Sequence, residues 1–339
     1  NSKIRWEKVE QYDIGLDAGF FRNRLSVTAD YFQRMSSDVL YGNFPIPSSI
    51  GVTSLAAQNA ASMLNSGVEL AVNYRGNFKG LNYSVGASMS KFADNEVTGL
   101  GDRGIETINN ESIIRIGVPF NAYFGYKAVG IFQTAAEVAA APKQFGSNFT
   151  APGDIQYADL SGPDGKPDGV INALDRTIIG NPYPSMIYNF NTSLSYKGFD
   201  FNVVFEGLNG LDRILNDNGQ QPMEGDRNNA LAYWIDRWTP QNPSTKLPRL
   251  GGQNNARISD FYIQDVSYLR MRNLEIGYTL PLRLSEKAGM SRLRIYVGGQ
   301  NLLTFTKLEN FDPERARGGN TDQSTPLYKI YTIGLNVKF

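Results

Sequence analysis

From Tyr331 to Phe339 apolar and polar residues alternate without a break: Tyr331, Ile333, Leu335, Val337 and Phe339 against Thr332, Gly334, Asn336 and Lys338. Successive side chains of a strand leave opposite faces of a sheet, so this segment predicts a strand with one apolar and one hydrophilic face, ending on an aromatic carboxy-terminus. Eight further segments repeat the pattern. Their apolar sides read Tyr12 to Phe20, Leu25 to Tyr31, Val68 to Tyr74, Leu81 to Met89, Tyr188 to Tyr196, Phe199 to Phe205, Leu274 to Leu280 and Leu293 to Val297, taking every second residue. The opposite sides carry charge, amide and hydroxyl groups, among them Asp17, Asp30, Glu69, Arg75, Arg292 and Arg294. Alternation alone fits the edge of a soluble sandwich as well as a strand with lipid outside and water inside. Tyr and Phe gather near the ends of many apolar faces, as the interfacial girdles of a membrane barrel require.

The links between these segments separate the two readings. Short ones (21–23, 76–80, 197–198 and 281–291) alternate with long ones (33–66, 93–185, 208–267 and 304–327), the pattern of an outer-membrane barrel with short periplasmic turns and long extracellular loops. With Phe339 on the periplasmic side, the short links all fall inside only if the long 93–185 link holds an even number of spanning strands. The simplest even number is zero. The apolar stretch Ile113 to Phe132, interrupted by Pro119, is therefore read as part of a structured extracellular excursion over about residues 94–185. The fold class predicted is all-β, a transmembrane antiparallel barrel with nine spanning strands. That count is odd where a single-chain bacterial barrel has an even one, so the missing strands are expected upstream of Asn1.

Composition narrows the chemistry. The 339 residues contain no cysteine and no histidine, which removes disulfides, thiol nucleophiles, Ser-His-Asp triads and His-ligated metals. Thirty-three basic residues balance thirty-three acidic ones, so no global field attracts nucleic acid. No run of about 18 uncharged apolar residues offers a helical membrane span. An enzyme is not expected.

One segment carries ligand chemistry. In GDIQYADLSGPDGKPDGVINALDRTIIG, Asp168-Gly169 can be placed on positions 5 and 6 of an EF-hand-type loop; Asp164 then falls on position 1, Val170 on 7, Asn172 on 9 and Asp175 on 12. Lys166 occupies position 3, where an oxygen ligand belongs, and Asp159 or Ser161 would have to replace it. The candidate is a structural Ca2+ that stiffens the loop; the alternative is a set of Asx turns. Tyr233, Trp234 and Trp238 in ALAYWIDRW are candidate stacking aromatics for a sugar or a protein partner, with loop-core packing as the plainer reading. Glu309, Asp312 and Glu314 lie close in sequence but lack an apolar pocket to serve as an acid/base pair. Gly99, Gly101 and Gly104 spell G-x-G-x-x-G without the helix that would give the motif meaning.

Several blocks together resemble the SusC/RagA-like TonB-dependent outer-membrane transporters of Bacteroidota: WEKVEQYDIGLDAGFFRNRLSVTADYF, GDIQYADL with DGVINALDRTIIGNPYPSMIYNFNTSLSYKGFDFNVVFEG, RMRNLEIGYTLP, RLRIYVGGQNLLTFTKLENFDPE and YTIGLNVKF. The resemblance implies a twenty-two-stranded barrel of which residues 1–339 are the C-terminal part, with the plug domain and Ton box lying outside this chain. It implies location in the outer membrane, import of an oligosaccharide or peptide powered by the TonB complex, and a SusD-like surface lipoprotein as partner. A passive porin and, from another class, a secreted adhesin or carbohydrate-binding protein are the alternatives. No cofactor beyond the candidate Ca2+ is implied.

Overall fold

The computed structural model of the chain describes residues 4–42, 58–101, 106–146, 149–214, 230–316 and 327–339. Its main element is one antiparallel sheet whose order follows the chain: β1 (Lys8–Phe20), β2 (Leu25–Tyr41), β3 (Gln58–Phe78), β4 (Leu81–Gly99), β5 (Met186–Tyr196), β6 (Phe199–Asn209), β7 (Tyr268–Thr279), β8 (Arg292–Gln300) and β9 (Ile330–Lys338). The expected nine strands are present among the described residues, and those of the 94–185 excursion contribute none to this sheet beyond the end of β4. Strands β1 and β9 are the two edges, so the sheet is a partial barrel. Among the described residues no helix is long and apolar enough to cross a membrane.

Register turns nine separate patterns into two continuous faces. One row of directly paired residues runs Phe20, Leu25, Tyr74, Val85, Thr192, Val203, Leu274, Gly299 and Tyr331, one from each strand, without a charge. The next row on the other face runs Arg75, Ser84, Ser193, Asn202, Glu275, Gly298 and Thr332 from β3 to β9, with no large apolar side chain. A one-residue slip between any two strands would exchange these faces, so the register is as strongly specified as the surroundings are different. The apolar face is left uncovered: Ile14 is 75% exposed and Ile333 79%. An apolar surface of this extent in contact with water would drive aggregation, and hydrocarbon is the medium that suits it.

Short connections all lie at one end of the sheet. Lys79-Gly80 and Lys197-Gly198 each have both residues at positive φ, the two-residue turn whose twist matches that of paired strands. Beside these turns sits a belt of rings, with Tyr74 against Tyr83 at 5.7 Å and Phe199 against Tyr278 at 4.5 Å between centroids. Eleven residues of β5, at about 3.4 Å each and a usual tilt of about 40°, cover about 28 Å, which matches the apolar band of an outer membrane.

Three strands run well past that height. The 21 residues of β3 span about 55 Å at the same tilt, and β2 and β4 accompany it with 17 and 19 residues. The sequence reading placed 33–66 and 94–99 in loops; in the structure β2 reaches Tyr41, β3 starts at Gln58 and β4 ends at Gly99. There the two-fold apolar pattern fades, and backbone pairing carries the strands on together with side-chain contacts such as Ser66 with Asp94 and Lys8 with Asp38. A further short strand, Thr304–Thr306, pairs with the first residues of β7 and prolongs β8 past a break at Asn301, whose φ is 55°.

The described residues between β4 and β5 are structured. Thr107–Ile108, Ser112–Ile114, Ala122–Gly125 and Thr177–Gly180 form a four-stranded sheet around Ile113, Ala122 and Phe124. A second core joins Tyr126, Ile155, Tyr157 and Ile171 to Tyr262 of the 210–267 connection.

Placing arginine on the apolar face tests this assignment of faces. Val72→Arg, near the middle of the band, is expected to cost about 2–4 kcal/mol in reversible unfolding from lipid bilayers, whereas Thr28→Lys, on the polar face beside Asp17, costs less than about 1 kcal/mol.

Candidate functional site

The polar face is a large hydrophilic surface of the sheet, and its charges are organised differently on its two sides. On β1 to β3, Asp17 accepts a hydrogen bond from the Thr28 hydroxyl at 2.6 Å, and Asp30 stands directly opposite Glu69, which accepts from Ser90 at 2.8 Å. Toward the turns, Arg24 and Arg75 line a polar recess with Asp17, Asn73 and Ser84. Across β6 to β8 three charges are paired. Arg294 gives its Nε to Asp200 at 2.9 Å and its Nη2 both to Asp200 and to Glu275, the latter at 2.6 Å. The guanidinium lies flat across Gly277, where an added Cβ would meet it at 2.4 Å; any other residue at 277 would displace it. Arg292 is exposed on the same face. All six polar-face residues named from the sequence therefore lie on the side opposite the apolar rows, but they do not converge on one point.

Near the loop end the wall carries a denser cluster. Arg270 of β7 is 1% exposed; its Nη2 meets Asp312 at 2.7 Å and its Nη1 approaches Glu314 at 3.4 Å. Arg272 holds Glu206 through two bonds of 3.0 and 3.2 Å and reaches Glu314 at 2.8 Å. Under this cluster Leu308 and Phe311 pack on Leu208, Leu211, Val266 and Tyr268. Residues 307–316 are thereby folded inward and fixed on the polar face of β6 and β7. Asp312 and Glu314, dismissed as an acid/base pair, are the anchors of this loop. Their partners lie about forty positions away on a strand that sequence spacing does not connect to them.

The loops above are tied to one another by buried polar groups. Asp154 is buried and takes a two-pronged contact from Arg249 at 2.7 and 3.0 Å, with Asn255 Nδ2 at 3.2 Å. Tyr157 and Tyr262 donate to the carbonyls of Asn254 and Asn255 at 2.9 and 2.7 Å. Burial pushes both phenols upward, Tyr157 well above its ordinary range.

The acidic loop has a defined internal geometry. Asp175 is buried and accepts the N–H groups of Leu160, Ser161 and Asn172 at 2.8, 3.0 and 2.8 Å; Asn172 caps Leu174 at 2.9 Å. Asp159 accepts from Asp168 and Gly169 at 3.3 and 2.7 Å, and Asp168 accepts from Val170 at 3.0 Å. Asp164 is exposed beside Gly165. As arranged, these oxygens serve backbone amides in Asx turns, and among the described residues no three acidic side chains converge. The aromatics divide: Trp234 is buried, Trp238 lies on Gly153 and donates to Gln133 at 3.2 Å, and Tyr233 faces a cleft between loops.

The two buried phenols set an alkaline limit for the loop core. Their folded values lie above the unfolded value of about 10, so their contribution is intact below that pH and is lost as pH rises toward the folded values. Stability is expected to fall by about 1.4 kcal/mol per pH unit for each phenol in that window, and Tyr157→Phe removes one such increment from the slope measured by denaturant titration. Asp312→Asn, which leaves the Arg270 guanidinium buried with less compensation, is expected to cost about 3 kcal/mol and to speed proteolysis within residues 307–316.

Comparison with known proteins gives this geometry a family. Residues 1–209 match the model described as "TonB dependent receptor-like, beta-barrel". Over its whole length the chain is 33% identical to TonB-dependent receptor P3 of Formosa agariphila, covering 35% of that receptor, and 24% identical to TonB-dependent receptor SusC of Bacteroides thetaiotaomicron, covering 32%. Among solved structures it superposes on the RagAB peptide importer in the closed-closed state with a TM-score of 0.80 and 28% identity, over 100% of this chain and 36% of that one. The chain spans about a third of the length of these relatives. It belongs to the TonB-dependent receptor-like β-barrel family, and is similar within it to SusC and RagA.

Proposed function

We propose that this chain forms wall and extracellular mouth of an outer-membrane importer that takes up an oligomeric nutrient, a glycan or a peptide, driven through the TonB complex and served by a SusD-like surface lipoprotein. The observation that carries this reading is the pair of faces: an apolar row through nine strands backed by a hydrophilic row through seven, with a loop pinned inward over the hydrophilic side. A wall of this kind separates hydrocarbon from an aqueous passage. The loops with their own cores lie at the extracellular end, where a solute is first met. No step of this activity makes or breaks a covalent bond.

A passive porin would share the two faces but not the energy requirement. Growth of the native organism on peptone or on polysaccharide as sole nutrient identifies the condition in which deletion of the gene slows uptake of the labelled nutrient. Under that condition, a protonophore or deletion of TonB is expected to reduce uptake at least tenfold. Uptake that persists at the same rate after both treatments would identify a passive pore. Release of the native protein from cells without detergent would instead support a secreted binding protein.

A further inference from the structure

Two hairpin turns of the sheet repeat one another in sequence and in geometry. Phe78-Lys79-Gly80-Leu81-Asn82-Tyr83 joins β3 to β4, and Tyr196-Lys197-Gly198-Phe199-Asp200-Phe201 joins β5 to β6; each runs aromatic, Lys, Gly, apolar, Asn or Asp, aromatic. Both lysines are at positive φ, 49° and 46°, and the glycines that follow are at 87° and 89°. The first residue of such a turn is ordinarily Asn, Asp or Gly, which reach the left-handed region with least strain. Turn formation therefore does not account for lysine at both places.

The two lysines share one kind of surrounding. Lys79 Nζ lies 5.4 Å from the ring centroid of Phe78, and Lys197 Nζ lies 5.1 Å from that of Tyr196. These rings fall in the same alternation as Tyr74 and Thr192, on the apolar side, so each ammonium is held at the border of the surface that meets lipid. Phe78 is 64% exposed and Tyr196 41%. A Cβ on Gly80 would lie 3.9 Å from Tyr196, which sets the turns side by side. With two strand spacings of about 4.8 Å between β3 and β5, the two rings stand about 10 Å apart.

Charge at these turns has one sign. Among the described residues neither lysine takes part in an ion pair. The other two short connections expose Arg22, Arg283 and Lys287, and Glu286 is the one acidic residue in all four. An ammonium at the edge of an apolar surface suits an anion that is itself tied to hydrocarbon, the phosphodiester of a lipid, whose chains lie on the rings. A zwitterionic lipid brings its own ammonium, which the lysines repel; an anionic one does not. A soluble phosphate would gain nothing from the exposed rings.

We propose that the paired turns bind anionic phospholipid, with a phosphodiester group on each of Lys79 and Lys197. The proposal rests on the short turns lying on the periplasmic side, the leaflet that holds the phospholipids of an outer membrane.

The test uses the receptor purified from the outer membrane of its own organism and delipidated in dodecyl maltoside. It is equilibrated with equal amounts of dioleoylphosphatidylglycerol and dioleoylphosphatidylethanolamine, and retained lipid is read by native mass spectrometry. Phosphatidylglycerol is expected to be retained at least about tenfold over phosphatidylethanolamine, and glycerophosphoglycerol, the same headgroup without acyl chains, should not displace it. Lys79→Asn and Lys197→Asn create the preferred Asn-Gly turn, so the hairpins stay formed while the charge is lost; each should lower the preference about fivefold, and the two together should abolish it. Lys79→Arg with Lys197→Arg should keep it. Heat-shifted migration on gels confirms folding, and Lys79→Gln and Lys197→Gln replace any variant that fails it, with the same expected losses. For the side of the membrane, Lys79→Cys should react with an impermeant maleimide only after the outer membrane is permeabilised, read on the peptide that contains residue 79. Equal retention of both lipids, a preference unchanged in the Asn or Gln variants, displacement by glycerophosphoglycerol, or labelling in intact cells would overturn the proposal. None of these readouts measures uptake, by which the import reading is judged.

Discussion

Hydrogen-bond closure between neighbouring strands is the constraint on which this structure rests. Hydrocarbon offers no partner to a backbone N–H or C=O, so each spanning segment must find both across its two sides. That requirement produces the long consecutive order from β1 to β9, and it forces each strand to present a single side to lipid. Register then decides everything that follows. Because Tyr74 faces Val85 and Val85 faces Thr192, Arg75, Ser84 and Ser193 have to lie together on the reverse. The hydrophilic face is in this sense a by-product of the apolar one.

Where lipid no longer imposes its rule, other interactions take over. The loops are assembled by small hydrophobic cores and by buried polar groups with several partners each, such as Asp154 with Arg249 and Asn255. Buried charge of this kind contributes little net stability over an apolar alternative, but it is costly to leave half made, and that gives it directional value. Arg270 illustrates the point. Its position on the wall dictates where Asp312 must come to rest, and with it the whole inward turn of the loop.

The barrel was legible in the chain because its two faces meet media of opposite polarity, which leaves a period of two in the sequence. Residues such as Ile14, Leu70 and Ile333 could be assigned to a face with no knowledge of their neighbours. The upper parts of β2 to β4 were not legible for the same reason in reverse: Gln58 to Leu64 pairs as a strand but no longer divides lipid from water. The Asp and Gly residues of the acidic loop suggested oxygen ligands or turns equally well, and only coordinates show that Asp175 gathers three backbone amides. The cleft was beyond reach, since Tyr233 and Phe311 become neighbours only through the folding of two connections whose strands must first be paired. Sequence periodicity reports local surroundings; it says nothing of contacts between distant loops.

The unequal height of the strands has a mechanical consequence. Along β2 to β4 the rim is a ladder of backbone bonds that continues upward from the membrane, while along β5 to β9 it is made of folded loops clasped by side chains. Prying the ladder apart means breaking its rungs one after another; a clasp gives way when a few contacts are lost. The rim is accordingly held by many interchangeable backbone bonds on one flank and by a few specific side chains on the other, so that a change of side chain acts chiefly on the flank where Arg270 meets Asp312.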